Sequence, residues 1–410
     1  MTNRVVVTGL GAVTPVGNDV NIMWENLIAG RHGIGPITRF DCTGHKAALA
    51  AEVKGFDPLE YMERNEARRL DIYSQYAIAA AAQAMRDSGI EGTVEPERFN
   101  VIFGSGVGGI ATFENEVEKL LSGGPRKVSA LFIPMMIGNL AAGNIAIRFG
   151  AKGSCICVVT ACATGPDAIG QAYRAIKHGY ADAAITGGSE AAITRMGIAG
   201  FSNMTALTTS CDPDAASLPF DRRRSGFVMG EGAGALILEE YNRAVRRGAR
   251  IYAEVKGYGS TCDAHHITAP SPDGKASARA IEESYREAGS PSGLIYINAH
   301  GTGTPLNDVA ETLAIKTAFG GDTSNILVSS TKSMVGHMLG AAGAAEAIIS
   351  VMTLAEGVLP PTIGLHEPDP ECDLDYIPLT ARKAQPELSM SVSLGFGGHN
   401  ACVAFSRHYI

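Results

Sequence analysis

VVTACATGPDAIG, residues 158–170, passes from an apolar, β-branched run into small helix-forming residues within a few positions. Val158, Val159 and Thr160 have the side chains expected at the end of a buried strand. Pro166 suits the first turn of a following helix, where its missing N–H would have had no helical partner. The spacing of Ile169, Tyr173 and Ile176 carries that helix to a stop at Gly179. Cys162 therefore stands at a strand-to-helix junction, facing unpaired N–H groups and the positive end of the helix dipole. Both favour the thiolate, which is the nucleophilic form. A free cysteine is also at home as a small buried hydrophobe, so this stretch alone leaves two readings open.

Outward from here, strand and helix alternate, the pattern of an α/β fold. Strand-like runs at residues 4–8, 101–103, 181–186 and 234–239 are separated by helical segments, among them 21–29 with the only tryptophan, Trp24, and 74–87. The second part of the chain echoes the first. Residues 251–255 run into GYG as 5–7 run into GLG, and 296–299 end in HGTGT as 101–103 end in GSGVGG. Residues 327–330 precede TKSMVGHMLGAAG and a helix, as 158–160 precede Cys162 and its helix. Residues 391–394 end in GFGGHNA as 183–186 end in GGSEA. Correspondences in the same order indicate a duplicated α/β half, residues 1–250 and 251–410.

Residues 77–85 and 341–352 lack a continuous polar face, so both helices are expected to be buried on all sides. A buried helix layer between two sheets, covered by outer helices, accounts for them as a five-layer αβαβα sandwich. The composition, 410 residues with 45% hydrophobic and 19% charged, suits a globular enzyme with a large core. A net charge of −8 argues against broad nucleic-acid binding. No apolar run reaches the roughly 18 residues of a membrane span, and MTNRVVVTGLGAVTP does not read as a signal peptide. No membrane role and a cytoplasmic location are expected. The eight cysteines lack disulfide-framework spacing. The run from Cys155 to Cys162 lacks paired metal knuckles, so no metal is expected there.

Sites in such folds lie at the C-terminal ends of strands. There the chain places Cys162, His300 in NAHGTGTP, Lys332 and His337 in SSTKSMVGHMLG, and Phe396 in GFGGHN. A thiol with convergent histidines is a nucleophile arrangement for acyl transfer. Gly395, Gly397 and Gly398 would let backbone N–H groups approach a developing oxyanion.

TACATG, NAHGTGTP, SSTKSMVGHMLGAAG and GFGGHN resemble the signature motifs of the β-ketoacyl-[acyl-carrier-protein] synthases, with synthase II the nearest group. The resemblance extends from VVVTGLGAVTPVG to the final strand. It implies a thiolase-like fold and decarboxylative condensation of malonyl-[acyl carrier protein] with an acyl group held on Cys162, lengthening the chain by two carbons. His300 and His337 match the catalytic histidines, Lys332 the motif lysine, and the Cys162 and Phe396 N–H groups the oxyanion hole. Lys332 has two roles open to it, electrostatic support near His337 and a buried pair with a carboxylate such as Glu346. Thr302 and Thr304 resemble the threonines that hold the phosphopantetheine arm. Phe201, Val107 and Ile133 resemble channel and acyl-pocket residues, with Ile133 reaching across a dimer. Asn298, Glu346 and Ser391 match residues that hold a structural monovalent cation in some relatives. No cofactor is implied, because phosphopantetheine travels on the carrier. The implied partners are an acidic acyl carrier protein, docking on Arg68, Arg69, Arg126 and Lys127, and a second copy of the chain whose strand before Cys162 pairs with this one. His265, His266 and His399 stand close to these motifs. Alternatives are a synthase I or polyketide ketosynthase, and a non-catalytic chain-length subunit. A thiolase is disfavoured, because the GFGGHN surroundings replace its second cysteine.

Overall fold

The computed structural model describes residues 2–408, and a ten-stranded sheet that divides into two sets of five forms its frame. In the first set, β1 (Val5–Val13), β2 (Phe99–Gly104), β3 (Cys155–Ile156), β4 (Ala183–Glu190) and β5 (Gly232–Glu240) lie in the order β3-β2-β4-β5-β1. In the second, β6 (Ala253–Cys262), β7 (Ile295–Asn298), β8 (Ile326–Ser329), β9 (Leu388–Gly395) and β10 (His399–Ser406) lie in the order β8-β7-β9-β10-β6. Both orders are third, second, fourth, fifth, first. Orientations repeat as well: β2 runs parallel to β3 and β4, as β7 does to β8 and β9. The last pairs, β4 with β5 and β9 with β10, are antiparallel. The two sets join where Val5, Val6 and Val7 pair with Val255, Glu254 and Ala253. This repeated topology is the structural form of the internal echo.

The main helices are α1 (Val20–Ile28), α2 (Ile72–Ser88), α3 (Ile110–Gly123), α4 (Phe132–Met136), α5 (Leu140–Phe149), α6 (Thr164–Lys177), α7 (Arg195–Asn203), α8 (Lys275–Glu287), α9 (Pro305–Ala318) and α10 (Ala342–Glu356), with short helical segments at Arg64–Ala67, Tyr241–Arg246 and Lys332–Val335. Side chains alternate across a strand, so each half of the sheet has two faces to bury. Leu236 and Leu238 of β5, with Val403 and Phe405 of β10, face a shared core built on α6 and α10. Ala235 and Ile237 face a separate core with α2, while Cys402 and Ala404 face one with Ile281 of α8 and Ile315 of α9. The layers are thus α2, sheet, α6 with α10, sheet, α8 with α9. The chain has the five-layer architecture expected of it.

Three details differ from the expectation. The segment 77–85 is buried, but it lies in an outer layer, because α5 places Ala141, Ala142 and Ile145 against the side of α2 that the sheet leaves open. Residues 158–160 are not strand: β3 is only Cys155–Ile156, both exposed at the sheet edge, and the chain leaves it to enter the turn at Ala161. Finally, Leu339–Glu356 is long and apolar enough to cross a membrane, although Glu346 interrupts its apolar run; 89% of it is buried as the central helix.

The starts of α6 and α10 touch backbone to backbone. A Cβ on Gly165 would lie 2.4 Å from the Ala344 nitrogen, and one on Gly343 would lie 2.3 Å from Pro166 Cδ. Gly165→Ala and Gly343→Ala should each destabilise the protein by about 1–3 kcal/mol through overpacking. Gly35→Ala, whose Cβ would meet nothing within 4 Å, should stay within about 0.5 kcal/mol. Urea denaturation midpoints measure the difference.

Candidate active site

Cys162 occupies a single 3-10 turn, Ala161–Ala163, that feeds directly into α6. Ala161 has φ +51°, a left-handed conformation that a non-glycine residue adopts at a cost of about 1–3 kcal/mol. Thr160 N donates to Thr164 Oγ1 at 3.0 Å, which fixes the turn from inside. The end of β9 presses against it: a Cβ on Gly395 would lie 3.2 Å from Cys162 N and 2.7 Å from Thr160 O. With no side chain there, the backbone N–H of the next residue, Phe396, comes near enough to the Cys162 sulfur to favour its negative form.

Cys162 is buried, and that burial pushes its thiol up to about 12 against the opposing pull of the Lys332 charge and the Phe396 N–H. The helix start was expected to favour thiolate. Desolvation outweighs it here, so the resting group at neutral pH is the thiol.

His300 follows β7, and its orientation is set by a carboxylate on α9. Glu311 Oε1 accepts from His300 N at 2.6 Å, and Oε2 accepts from Gly301 N at 2.7 Å. Burial raises Glu311 to about 7 against these same hydrogen bonds. His337 is held by its own N–H to Val228 O at 2.7 Å and by the Phe227 ring, edge-on at 5.0 Å. The two imidazoles meet at 5.2 Å between centroids, nearly perpendicular. Burial and the charge of Lys332 hold both well below the usual histidine range, so both are neutral at physiological pH.

Lys332 Nζ donates to Glu346 Oε1 at 2.5 Å, with each side chain 1% exposed. The two roles open to Lys332 coexist. It is paired, and its charge still lowers Cys162, His300 and His337.

Cys162, His300 and His337 line one cavity of about 340 Å³, together with Thr302, Thr304, Phe201 and Phe396. The hydroxyls of Thr302 and Thr304 lie 3.0 Å apart, and the Phe201 and Phe396 rings stack at 6.2 Å. Val107 and Ile133 lie outside this cavity, exposed on the single chain. Arg68, Arg69, Arg126 and Lys127 are exposed on short helical turns. Arg222, Arg223 and Arg224, by contrast, pair with Glu367, Asp221 and Asp369 and brace a loop. His266 Nδ1 accepts from Thr268 N and Ala269 N, shaping a wall of the cavity, while His399 pairs with Cys262 in the sheet. Asn298 Oδ1, Glu346 Oε2 and Ser391 Oγ are buried oxygens without a hydrogen-bond partner, a hard donor set that suits a monovalent cation.

Sequence reasoning missed Glu311 and Glu190. Glu190 is fully buried at the end of β4, where its carboxylate accepts from Ser105 Oγ and from the N–H groups of Gly106, Val107 and Gly340. The signal available was an acid closing an otherwise apolar strand, in GGSEA.

Two family models match the chain, "Beta-ketoacyl synthase, N-terminal domain" over residues 2–244 and "Beta-ketoacyl synthase, C-terminal domain" over residues 252–366. The chain is 51% identical over 408 residues to the 3-oxoacyl-[acyl-carrier-protein] synthase 2 of Synechocystis sp., covering 99% of this chain and 98% of the relative. Among solved structures it is similar to the ishigamide ketosynthase/chain length factor, with a TM-score of 0.93, 36% identity and full coverage of both chains. It is also similar to the AntDE:AntF complex, described as a type II PKS acyl-carrier protein with its ketosynthase, with a TM-score of 0.92, 34% identity and full coverage of both.

Lys332→Met should destabilise the protein by about 3–5 kcal/mol, because it leaves Glu346 buried without its cation. The double variant Lys332→Met, Glu346→Gln should recover a large part of that loss in urea denaturation. Equal losses in both would mean that the pair is not what holds this region.

Proposed function

The chain belongs to the β-ketoacyl synthase family, and from that membership we propose how its residues divide the work of condensation. The enzyme is an acyltransferase of fatty acid synthesis, a 3-oxoacyl-[acyl-carrier-protein] synthase of the synthase II type. It joins a malonyl unit on acyl carrier protein to an enzyme-bound acyl thioester and lengthens the chain by two carbons. The observation that carries the assignment of roles is that one thiol and two neutral imidazoles line a single cavity.

In the first half-reaction the Cys162 sulfur attacks the acyl-carrier thioester. The tetrahedral oxyanion accepts from the N–H groups of Cys162 and Phe396. The carrier's sulfur then leaves and takes the proton that Cys162 gave up. The start of α6 and Lys332 both favour the negative sulfur and oppose the burial that keeps the resting group a thiol. Thr302 and Thr304 hydrogen-bond the pantetheine arm, and Phe201 with Phe396 gates the channel.

In the second half-reaction the malonyl carboxylate leaves as carbon dioxide. The electrons of the broken C–C bond pass to the thioester oxygen, forming an enolate. His300 and His337, neutral, each donate an N–H to that oxygen. The enolate carbon attacks the Cys162 thioester, the new C–C bond forms, and the sulfur leaves and regains a proton. Lys332 supplies positive potential near His337. Asn298, Glu346 and Ser391 would hold a structural monovalent cation, whose charge would add to that of Lys332 beside Glu346.

The working form is proposed to be a homodimer in the cytoplasm. β3 offers a free sheet edge, and exposed Ile156, Val159, Val107, Ile133 and Phe113 form apolar surface on the segments beside it. Pairing there would bring Ile133 of one chain to the Val107 side of its mate, as the wall of an acyl pocket. The carrier protein would dock through Arg68, Arg69, Arg126 and Lys127, whose charge complements an acidic partner.

Cys162→Gln should abolish condensation while still releasing carbon dioxide from malonyl-[acyl carrier protein], measured as labelled gas. Absence of that release would remove His300 and His337 from the assigned role. Charge reversal at Arg126 and Lys127 should raise KM for acyl carrier protein about tenfold and leave KM for a small acyl thioester within about twofold. Equal effects on both substrates would take these residues out of the docking surface.

A further inference from the structure

We propose that Glu190 is a positioning residue that ties the turn carrying Val107 to the turn following His337, so that the acyl and malonyl sides of the reaction shift as one. The proposal rests on the reading in which Cys162 carries the acyl chain and His337 serves the malonyl thioester.

Glu190 is fully buried, and its hydrogen-bond partners are all neutral donors. Oε1 accepts from Ser105 Oγ at 2.9 Å and Val107 N at 3.1 Å. Oε2 accepts from Gly106 N at 2.8 Å and Gly340 N at 3.1 Å. One oxygen therefore bridges a turn of the first half to a turn of the second. Nothing separates those turns: a Cβ on Gly340 would lie 2.4 Å from Gly106 N and 2.9 Å from Oε2. A shift of either turn must move the other or break a charge-assisted hydrogen bond in a dry interior.

Both turns also face the acyl side. Leu339, two residues after His337, holds φ +48° without being glycine. Its side chain joins the apolar cluster that contains Cys162, Ile193 and Ile198, with Ile110 and Phe201 packed against it. Leu339 and Ile110 thus both border the apolar cluster that holds Cys162, and Ile110 begins the helix that follows the Val107 turn. The route from Val107 N through the carboxylate to Gly340 N ends three residues from His337. Glutamine would present an NH₂ group to backbone N–H donors, so one turn would lose its acceptor.

The experiment compares carbon dioxide release from malonyl-[acyl carrier protein] with Cys162 free and with Cys162 octanoylated, acylation being read by intact mass. The unsubstituted protein should release carbon dioxide about tenfold faster when acylated, and Glu190→Gln should bring the ratio to within about twofold. A general loosening of the fold lowers both rates and leaves the ratio alone. An unchanged ratio in Glu190→Gln, or a ratio near one in the unsubstituted protein, overturns the coupling. If Glu190→Gln does not fold, Ser105→Ala keeps the carboxylate, removes one donor and should lower the ratio partway; an unchanged ratio there overturns the coupling equally. Failure of Cys162 to take up the octanoyl group overturns its role as acyl carrier, and with it the premise of the coupling.

Discussion

At the crossing of α6 and α10 two glycines let the helices meet. Gly165 lies against the main chain of Gly343 and Ala344, and Gly343 lies against the Pro166 ring and the Ser393 hydroxyl. That contact brings the start of α6, with Cys162 just before it, beside the start of α10, with His337 just before that. The same demand recurs at Gly395 against the Cys162 turn and at Gly340 against Gly106. Residues from opposite ends of the chain share one cavity because the turns that bear them are stripped of Cβ atoms where they touch. The 49 glycines of the composition have part of their reason here.

Burial then sets the chemistry. In a dry interior charge is expensive unless it is paired or hydrogen-bonded. The site answers with a neutral thiol, two neutral imidazoles and a single buried ion pair, Lys332 with Glu346. Its remaining acids are occupied by backbone: Glu311 holds His300 and Gly301, and Glu190 holds three N–H groups. The thiol and the imidazoles that line the cavity are thus left without strong side-chain partners, while Glu311 and Glu190 are taken up by neighbouring N–H groups.

Much of this was legible in the chain. The echo of GLG with GYG and of GSGVGG with HGTGT pointed to a duplicated α/β half, and these turns fall at ends of strands that recur in the same order in both sets of five. The thiol and both histidines were legible because each sits in a turn of small residues that follows a strand and leads toward a helix. Glu311 was not, because a carboxylate that binds backbone N–H groups on another segment leaves no local pattern, and Glu190 left only the acid at the end of GGSEA. The layer of α2 was misplaced for a related reason: a helix apolar all round reports how deeply it is buried but not which neighbours bury it. Residues 158–160 read as strand because β-branched composition does not register the left-handed turn at Ala161.

The positive φ at Ala161 has a twin at Leu339, +51° beside +48°, each one residue into an equivalent turn before a central helix. Gly340 therefore holds the place in its turn that Cys162 holds in the first. Its N–H is already taken, by the carboxylate of Glu190 from the first half. A side chain introduced at position 340 would run into that carboxylate and into Gly106, so the asymmetry between the two turns is set as much by what lies against the second as by the thiol on the first.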